Sequence, residues 1–345
     1  MTARVVVVTG ATAGIGRATA RAFAARGDSV ALLARSGDGL AAARDEMTRA
    51  GVASLALPVD VADAEAVDEA ATRVEDTLGP IDVWVNNAMT SVLAPVQRTS
   101  AEEFRRVTEV TYLGCVHGTM SALRRMTPRD SGVIVQVSSA LAHRAIPLQA
   151  SYCGAKHAIK GFTDALRCEL LHDHSNVRVA MVALPGVNTP QFGWVKTTLG
   201  RHPQPVPPIY QPEVAARAIC WAADHPRREI QVGMPTPLTI WAGRLVPTFV
   251  DRYLAMTNYE AQQTDLPVEP DRPTNLWAPV PGDHGAHGIF DDVAKATSVQ
   301  AAAVTRFRLH ALVAAGLSGF GCVWARRRGG SAPGTSGLRR PRRTD

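Results

Sequence analysis

The sequence has few cysteines, and they follow no pattern. The 345 residues include five cysteines, an odd number without CxxC spacing: Cys115, Cys153, Cys168, Cys220 and Cys322. This scatter excludes a disulfide framework and a cysteine-based zinc site, and it is typical of reduced thiols in the cytosol. Two histidine pairs, His172 with His174 and His284 with His287, also lack neighbours that would distinguish a metal site from polar loops. We therefore predict no metal ion.

We also expect no amino-terminal signal peptide. Met1 leads directly into the apolar run 4–9, which is better interpreted as a first strand, so we expect a cytoplasmic protein. The net charge is +6, but residues 306–345 carry nine arginines and one aspartate, which leaves the rest of the chain slightly acidic. The main domain therefore has no basic footprint for nucleic acid, and we expect no nucleic-acid partner.

The sequence does contain a regular alternation of apolar, β-branched runs with helical patterns. The first run, RVVVVT at 4–9, is continuous, as in a strand buried on both faces of a parallel sheet. Further strand-like runs occupy 29–34, 53–59, 81–85, 132–138, 177–184 and 229–232. Helical patterns of roughly 10–20 residues separate most of these runs, which predicts an α/β fold with a parallel sheet.

A glycine-rich turn follows the first strand. The segment TGATAGIG places Gly10, Gly14 and Gly16 between that strand and a helical pattern over 15–26. A strand, a turn and a helix in this order bring backbone N–H groups and a helix N-terminus beside a pyrophosphate. Glycine lets the backbone approach that ligand closely. We therefore predict a dinucleotide site.

The end of the second strand indicates which dinucleotide binds. An acidic residue there would bond the ribose 2′-hydroxyl of NAD, whereas a nearby arginine accommodates the 2′-phosphate of NADP. Ala34 and Arg35 occupy this end, and no acid comes before Asp38. We expect NADP(H) rather than NAD(H); the competing interpretation is an ordinary solvated arginine.

Three further residues indicate proton chemistry at a carbonyl oxygen. Tyr152 and Lys156 are four residues apart at the start of a long helical pattern, so they share one helix face, and Ser139 follows the strand-like run 133–137. The ammonium would lower the pKa of the tyrosine, and the serine would hold the oxygen where charge develops. Tyr-x-x-x-Lys alone is common on helix surfaces, so its meaning depends on the dinucleotide site that precedes it.

These motifs together resemble a known family. TGATAGIG, Asp60-Val61, Asn86-Asn87-Ala88, Ser139, Tyr-x-x-x-Lys and PGVNTP occur in the order and spacing of the short-chain dehydrogenase/reductase family, over residues 3–235. The resemblance implies a Rossmann-type, doubly wound parallel sheet of about seven strands, here with a C-terminal extension. It also implies hydride transfer and a homo-oligomer.

The resemblance further implies roles for single residues. Ser139, Tyr152 and Lys156 would be catalytic, Asp60 would bond the adenine, and Thr189 would contact the nicotinamide carboxamide. Together with Arg35, which is inferred from the end of the second strand, the predicted cofactor-binding set is Gly10, Thr12, Gly14, Ile15, Gly16, Arg35, Asp60, Val61, Asn86, Ala88, Tyr152, Lys156, Pro185, Gly186 and Thr189.

Two residues depart from the family pattern. Met89 follows Asn-Asn-Ala where the family commonly has glycine, so it would narrow the space near the cofactor or move the loop. Thr111 stands where the family commonly has an asparagine that is thought to hold a water linking the lysine to solvent. A threonine hydroxyl has a shorter reach and fewer donors, so we place Thr111 in the catalytic set with a weakened proton relay.

The irregular, proline-rich segment 187–211 would lie at the carboxyl edge of the sheet, where ligands bind. We predict that it is a lid over an apolar substrate pocket, with Phe192 and Trp194 binding the substrate; a structural crossing loop is the alternative. His143, between Ser139 and Tyr152, is included among the substrate-binding residues, although a lone loop histidine is more often a bystander.

The chain after the last strand changes character. We divide the protein into a catalytic domain (1–235), an extension with a proline-rich linker (236–305), an apolar helix (306–328) and a disordered basic tail (329–345). Leu309 to Ala325 is uncharged but short for a membrane span, and arginines flank it. A helix lying on anionic headgroups and a soluble helix packed on the domain or a partner both remain open.

Two functions from different classes are compatible with the sequence. The first is an NADP(H)-dependent oxidoreductase acting on a small, apolar alcohol or carbonyl compound. The second is a cofactor-binding sensor or scaffold with little activity, which Thr111 and Met89 favour. The complete set of Ser139, Tyr152 and Lys156 favours the enzyme, because mere binding does not require all three.

Overall fold

The structure is a computed structural model that describes residues 3–269 and 271–306. Its strands are β1 (Val5–Thr9), β2 (Ser29–Ala34), β3 (Ser54–Pro58), β4 (Ile81–Asn86), β5 (Val92–Leu93), β6 (Val133–Ser139), β7 (Arg178–Leu184), β8 (Lys196–Thr197), β9 (Arg201–Pro203), β10 (Glu229–Gln231) and β11 (Gln263–Pro267). Its α-helices are α1 (Gly14–Ala24), α2 (Gly37–Arg49), α3 (Ala64–Leu78), α4 (Ala101–Thr108), α5 (Gly114–Met126), α6 (Ala150–His172), α7 (Gln191–Trp194), α8 (Pro212–Asp224), α9 (Pro235–Leu245), α10 (Pro247–Ala261) and α11 (Val299–Arg306).

Seven strands form one parallel sheet in the order β10-β7-β6-β4-β1-β2-β3, which confirms the predicted doubly wound fold. In the centre, Val8 of β1 pairs with Leu32 of β2 on one side and Val85 of β4 on the other. The chain builds the sheet outward from β1 through β3 and then crosses to β4. In open parallel sheets this change of direction opens a crevice at the carboxyl ends of the strands, where ligands bind.

The central strands are apolar because both faces of the sheet are covered. Helices α1, α2 and α8 pack with one another, as do α3, α5 and α6, so two helix layers enclose the sheet. Val6, Val7 and Val8 of β1 are completely buried. The continuous β-branched run of the first strand is therefore explained by burial on both sides.

The segment 101–126 forms α4 and α5 joined by a π-helical turn, Glu109–Leu113. Ser100 caps α4 by accepting a hydrogen bond from the Glu103 N–H, and the Glu103 side chain accepts one from the Ser100 N–H. The wider turn between the two helices contains Thr111. Turns of this kind often accompany functional sites.

The C-terminal extension does not stand apart as a linker. The chain divides into a unit of residues 1–302 and a second unit of residues 303–345. Helices α9 and α10 contact each other, and the following segment is hydrogen-bonded to the sheet domain, as with Gly282 N–H on Asp38 (3.0 Å). The first unit therefore comprises the Rossmann domain and almost all of the extension.

Helices α9 and α10, with the residue before α9, expose a stripe of large apolar side chains: Met234, Leu238, Trp241, Leu245, Phe249, Tyr253 and Met256. Over residues 3–269 and 271–306, no helix has the length and apolar character needed to cross a membrane. The predicted apolar helix at 306–328, beyond its first residue, and the basic tail at 329–345 lie outside the described residues.

Candidate active site

A cavity of about 420 Å³ lies at the carboxyl ends of the central strands. This volume is within the range of small-molecule and cofactor sites. Most of the residues selected from the sequence line it: Gly10, Thr12, Gly14, Ile15, Arg35, Asp60, Val61, Ala88, Ser139, Tyr152, Lys156, Pro185, Gly186, Thr189, Phe192 and Trp194. Met89 lines it as well.

The glycine-rich turn forms one wall of the cavity. Gly10 and Gly14 have φ of 66° and 56°, a backbone region that disfavours side chains. A Cβ at Gly10 would lie 2.9 Å from the Ala88 Cα, so the turn packs closely against the end of β4. The Asn87 side chain fixes this contact by donating to the Thr9 carbonyl (2.9 Å). The first turn of α1 then presents N–H groups that have no partner within the helix.

Gly16 belongs to the packing of this turn rather than to the cavity wall. A Cβ at Gly16 would lie 2.1 Å from the Gly10 carbonyl oxygen, so glycine is what allows α1 to pack on the turn. Gly16 does not line the cavity. Its assignment to the cofactor-binding set stays a prediction, and the structure gives it a packing role.

Charged groups lie at the ends of β2 and β3. The Arg35 guanidinium donates to the carbonyl oxygens of Asn275 (2.5 Å) and Trp277 (3.0 Å). Burial lowers the pKa of Arg35, which nevertheless stays charged at neutral pH. Asp60 forms a salt bridge with Arg106. Burial by itself would raise the pKa of Asp60, but the hydrogen bond and charge of Arg106 hold it below its ordinary value.

Ser139, Tyr152 and Lys156 meet because β6 and α6 follow one another in the chain. Ser139 ends β6, and the other two lie in the first turns of α6. The Lys156 Nζ is 5.5 Å from the centre of the Tyr152 ring and donates to the Val137 carbonyl (2.8 Å). The Ser139 hydroxyl accepts from the Leu141 N–H (3.1 Å), which orients the serine at the cavity wall.

Burial decides the protonation of this centre. It raises the pKa of Tyr152 above its ordinary value, and the hydrogen bond with Ser139 opposes the rise only in part. Burial also lowers the pKa of Lys156 to about 8, against the influence of the nearby Cys115. The expected lowering of the tyrosine pKa is therefore wrong for this structure. Loss of solvation outweighs the hydrogen bond with Ser139, and Lys156 is itself buried and bonded to the Val137 carbonyl.

Thr111 does not touch the catalytic centre. Its hydroxyl donates to the Thr90 carbonyl (2.8 Å) and accepts from the Thr90 N–H (3.1 Å). The residue is buried and does not line the cavity. Its assignment to the catalytic set is corrected: Thr111 anchors the loop after β4 to the π-helical turn.

Asn86 ends β4 but faces the protein interior. Its amide nitrogen donates to Thr119 Oγ1 (3.0 Å) and Gln136 Oε1 (2.9 Å), and its oxygen accepts from Trp84 Nε1 (2.8 Å). The following residue, Asn87, lines the cavity instead. Because successive strand side chains point to opposite faces, the cofactor-binding assignment of Asn86 is corrected to a structural one.

His143 also lies away from the cavity. It is buried after Ser139, with Nε2 3.0 Å from Glu229 Oε1 in β10. Burial by itself would raise the pKa of Glu229, but the interaction with His143 lowers it. The substrate-binding assignment of His143 is therefore corrected, because its side chain joins the catalytic loop to the edge strand.

The substrate side of the cavity is closed by α7 and the extension. Phe290 packs edge-on against Phe192, with ring centres 6.2 Å apart, and His284 packs in the same way against Trp194, at 4.7 Å. The extension lines the cavity with residues that sequence reasoning missed: Pro235, Thr236, Thr239, Leu254, Asn258, Asn275, Pro279, Val280, Gly282 and His284. The only sequence feature in this region that could have indicated a site is the run GDHGAHG at 282–288. Its polar, glycine-rich composition is equally typical of a linker, so it did not identify these residues.

The histidines in this region have protein partners. His287 bonds Asp291 (2.8 Å) and Glu213 (2.9 Å). Within residues 3–269 and 271–306, no three His, Cys, Asp or Glu side chains come together in a group that could hold a metal ion.

The comparison with known protein families agrees with this geometry. A family model described as short chain dehydrogenase matches residues 4–198, more than half of the chain. The chain belongs to the short-chain dehydrogenase/reductase family. It is therefore an oxidoreductase of that family.

This short-chain dehydrogenase has relatives along nearly its whole length. It is 31% identical over 316 residues to the uncharacterized oxidoreductase YxnA of Bacillus subtilis, covering 91% of this chain and 88% of that protein. The match therefore includes the C-terminal extension.

Solved structures are similar to the Rossmann domain. An alcohol dehydrogenase from Thermococcus sibiricus complexed with 5-hydroxy-NADP is 28% identical, with a TM-score of 0.58 over 66% of this chain and 95% of that one. A short chain dehydrogenase from Mycobacterium paratuberculosis bound to NAD is 25% identical, with a TM-score of 0.59 over 66% and 96%. Relatives thus bind either form of the nicotinamide dinucleotide.

Proposed function

We propose that this short-chain dehydrogenase uses NADP(H) to interconvert an alcohol and a carbonyl group in a small apolar compound, with Tyr152 as the proton donor or acceptor. The supporting observation is that Ser139, Tyr152 and Lys156 line the same cavity as the glycine-rich turn and Arg35. The apolar rings of Phe192 and Trp194 at the same cavity support an apolar substrate.

The residues present fit a nicotinamide dinucleotide. The turn around Gly10 and Gly14 forms a cradle that side chains would fill, and the start of α1 offers N–H groups to a pyrophosphate. Arg35 would hold the 2′-phosphate, Asp60 the adenine and Thr189 the carboxamide. When bound, the cofactor supplies or accepts the hydride, while the protein supplies placement and proton transfer.

Tyr152 is placed to give a proton to a carbonyl oxygen. A phenol already carries its proton at neutral pH, and burial raises the pKa of Tyr152 further. Tyr152 would give that proton to the carbonyl oxygen, and the bound cofactor would supply the hydride to the carbon, so that C=O becomes CH–OH. Ser139 bonds the same oxygen, and Lys156, with a pKa of about 8, is able to exchange protons near neutrality.

The test is loss of NADPH absorbance with a panel of ketones, aldehydes, steroids and quinones. Tyr152→Phe removes the only transferable proton of the side chain, so we expect turnover to fall about 100-fold to 10,000-fold. NADPH binding should stay within about twofold. Tyr253→Phe, an exposed tyrosine on α10, is the matched control. Turnover retained in the Tyr152 variant contradicts the assignment, and tight NADPH binding without any turnover favours the sensor or scaffold function.

The cofactor preference rests on Arg35. Arg35→Ala should weaken NADPH binding about 10-fold to 100-fold, because a charge-assisted bond to phosphate is lost, and should leave NADH binding within about twofold. Arg49→Ala on α2, exposed and outside the cavity wall, removes the same charge as a control. Equal loss of NADPH and NADH affinity would exclude a role in the 2′-phosphate site.

Association with other molecules is also part of the proposal. A homo-oligomer through the helices on either side of β6 is supported by the exposed side chains of Leu113 and Met120 near and on α5 and Leu171 on α6. Light scattering tests this proposal by comparing the molar mass in solution of Met120→Glu with that of the wild-type protein. A smaller mass for the variant is expected. We also propose that the protein resides in the cytoplasm and attaches to a membrane surface through residues 306–328. Pelleting of the full chain with anionic vesicles tests the attachment, and full recovery in the supernatant rejects it.

A further inference from the structure

Residues 271–291, here called the C-terminal strap, contact the groups that would hold the cofactor. The carbonyl oxygens of Asn275 and Trp277 accept both hydrogen bonds of Arg35, at 2.5 and 3.0 Å. The Gly285 carbonyl accepts from the Gly14 N–H at the start of α1, at 3.0 Å. The strap thus engages one group proposed for the 2′-phosphate and one proposed for the pyrophosphate.

The strap also holds α7, which forms the substrate side of the cavity. Arg272 donates to the carbonyl oxygens of Phe192 and Gly193, both at 3.0 Å, and to that of Val195. A helix of four residues is not stable by itself, so its position depends on outside contacts. One guanidinium therefore supplies three bonds to the backbone that presents Phe192 and Trp194.

Asn275 connects the two ends of the cavity. Its backbone N–H donates to the Trp194 carbonyl (3.2 Å), and its side chain donates to Gln191 Oε1 (3.1 Å). The carbonyl of the same residue accepts from Arg35. A displacement of Arg35 therefore acts on a residue that also bonds α7.

We propose that Arg272 and Asn275 are positioning residues: Arg272 holds α7 in place, and Asn275 transmits the state of Arg35 to it. The second part rests on the proposed NADP(H) function, because the 2′-phosphate competes with two strap carbonyls for Arg35. A phosphate bonds a guanidinium more strongly than a peptide carbonyl does, so the dinucleotide releases Asn275 from Arg35 and changes the hold on α7. Substrate affinity then depends on whether the bound dinucleotide carries a 2′-phosphate.

The test is hydrogen exchange of the backbone amides in α7, followed by mass spectrometry on the full chain. The probes are 2′,5′-ADP and ADP, which differ in the 2′-phosphate. In the wild-type protein, 2′,5′-ADP should change exchange over residues 190–197 about threefold or more, whereas ADP should not. Arg272→Ala should raise exchange there about tenfold without any nucleotide, and further addition of 2′,5′-ADP should have no effect.

Two matched variants separate the proposed role from a general loss of stability. Arg272→Lys keeps the charge but lacks the planar fork, so its exchange should lie between wild type and Arg272→Ala. Arg252→Ala, an exposed arginine on α10, should leave α7 unchanged. If Arg272→Ala does not fold, increased amide exchange of α7 in Arg272→Lys tests the same role.

Clear outcomes overturn each part. Exchange in Arg272→Ala within about twofold of wild type overturns the positioning role. An equal response to both nucleotides, or no binding of 2′,5′-ADP, overturns the transmission through Arg35. Failure of the proposed catalytic function is distinguishable, because it shows as NADPH binding without Tyr152-dependent turnover, while exchange of α7 is measured without turnover.

Discussion

Replacement of Asn86 by alanine separates a structural role from a cofactor-binding role. The substitution removes three buried hydrogen bonds, but two of the partners keep another one. Gln136 Oε1 still accepts from Cys115 Sγ (3.1 Å), and Thr119 Oγ1 still accepts from Gln136 Nε2 (2.9 Å). Only Trp84 Nε1, on a fully buried side chain, loses its hydrogen-bond partner.

The expected magnitude follows from that count. A buried donor left unpaired costs about 1–3 kcal/mol, and the space vacated by the side chain adds about 1 kcal/mol. We expect Asn86→Ala to lower the free energy of unfolding by about 3 kcal/mol. Because Asn86 does not line the cavity, NADPH affinity should stay within about twofold of wild type.

Urea unfolding followed by circular dichroism measures the stability, and NADPH fluorescence measures the affinity. In a Trp84→Phe background, where the unpaired donor is absent, Asn86→Ala should cost about 1–2 kcal/mol less. Asn87→Ala, at the neighbouring position that lines the cavity, provides the contrast, because it should weaken NADPH binding. A stable Asn86→Ala protein that binds NADPH about tenfold more weakly would refute the reasoning.

Two further predictions concern packing and pH. Gly16→Ala places a Cβ 2.1 Å from the Gly10 oxygen, so α1 must shift. We expect a loss of about 2–4 kcal/mol in urea unfolding and weaker NADPH binding, whereas Gly154→Ala, in open space on α6, should cost nothing. Lys156 has a pKa lowered to about 8 from 10.5, so above pH 8 the folded chain gives up a proton that the unfolded chain keeps. The stability of wild type relative to Lys156→Met should therefore be constant below pH 8 and rise from pH 8 to 10.5; a difference that falls over that interval contradicts a buried lysine.

Much of the Rossmann domain was predictable because its signals are local. A continuous valine run indicates a strand buried on both faces, and TGATAGIG marks the turn that must pass close to another backbone. Tyr152 and Lys156 share a face because of helical spacing alone. The structure brings these residues to one cavity with Ser139 because parallel strands joined by helices all end at the same edge of the sheet.

The errors arose where a neighbour in sequence differs from a neighbour in space. Asn86 and Asn87 look equivalent in a motif, but strand alternation directs one into the core and the other to the cavity. His143 lies between Ser139 and Tyr152 in the chain, yet in the fold its Nε2 lies 3.0 Å from Glu229 Oε1 in the edge strand. Thr111 lies in a π-helical turn that no side-chain pattern predicts, and its hydroxyl donates to the Thr90 carbonyl.

The sequence by itself determined the parallel sheet, the glycine-rich turn, Arg35 at the end of the second strand and the serine, tyrosine and lysine that we propose as catalytic. Only the tertiary structure decided that the polar segment 271–291 lies along the cavity, with Arg272 on α7 and Asn275 on Arg35. In those contacts an arginine side chain donates to backbone carbonyl oxygens of residues far apart in the chain. Every residue type carries a backbone carbonyl, so no composition or spacing of side chains encodes which carbonyl an arginine will meet.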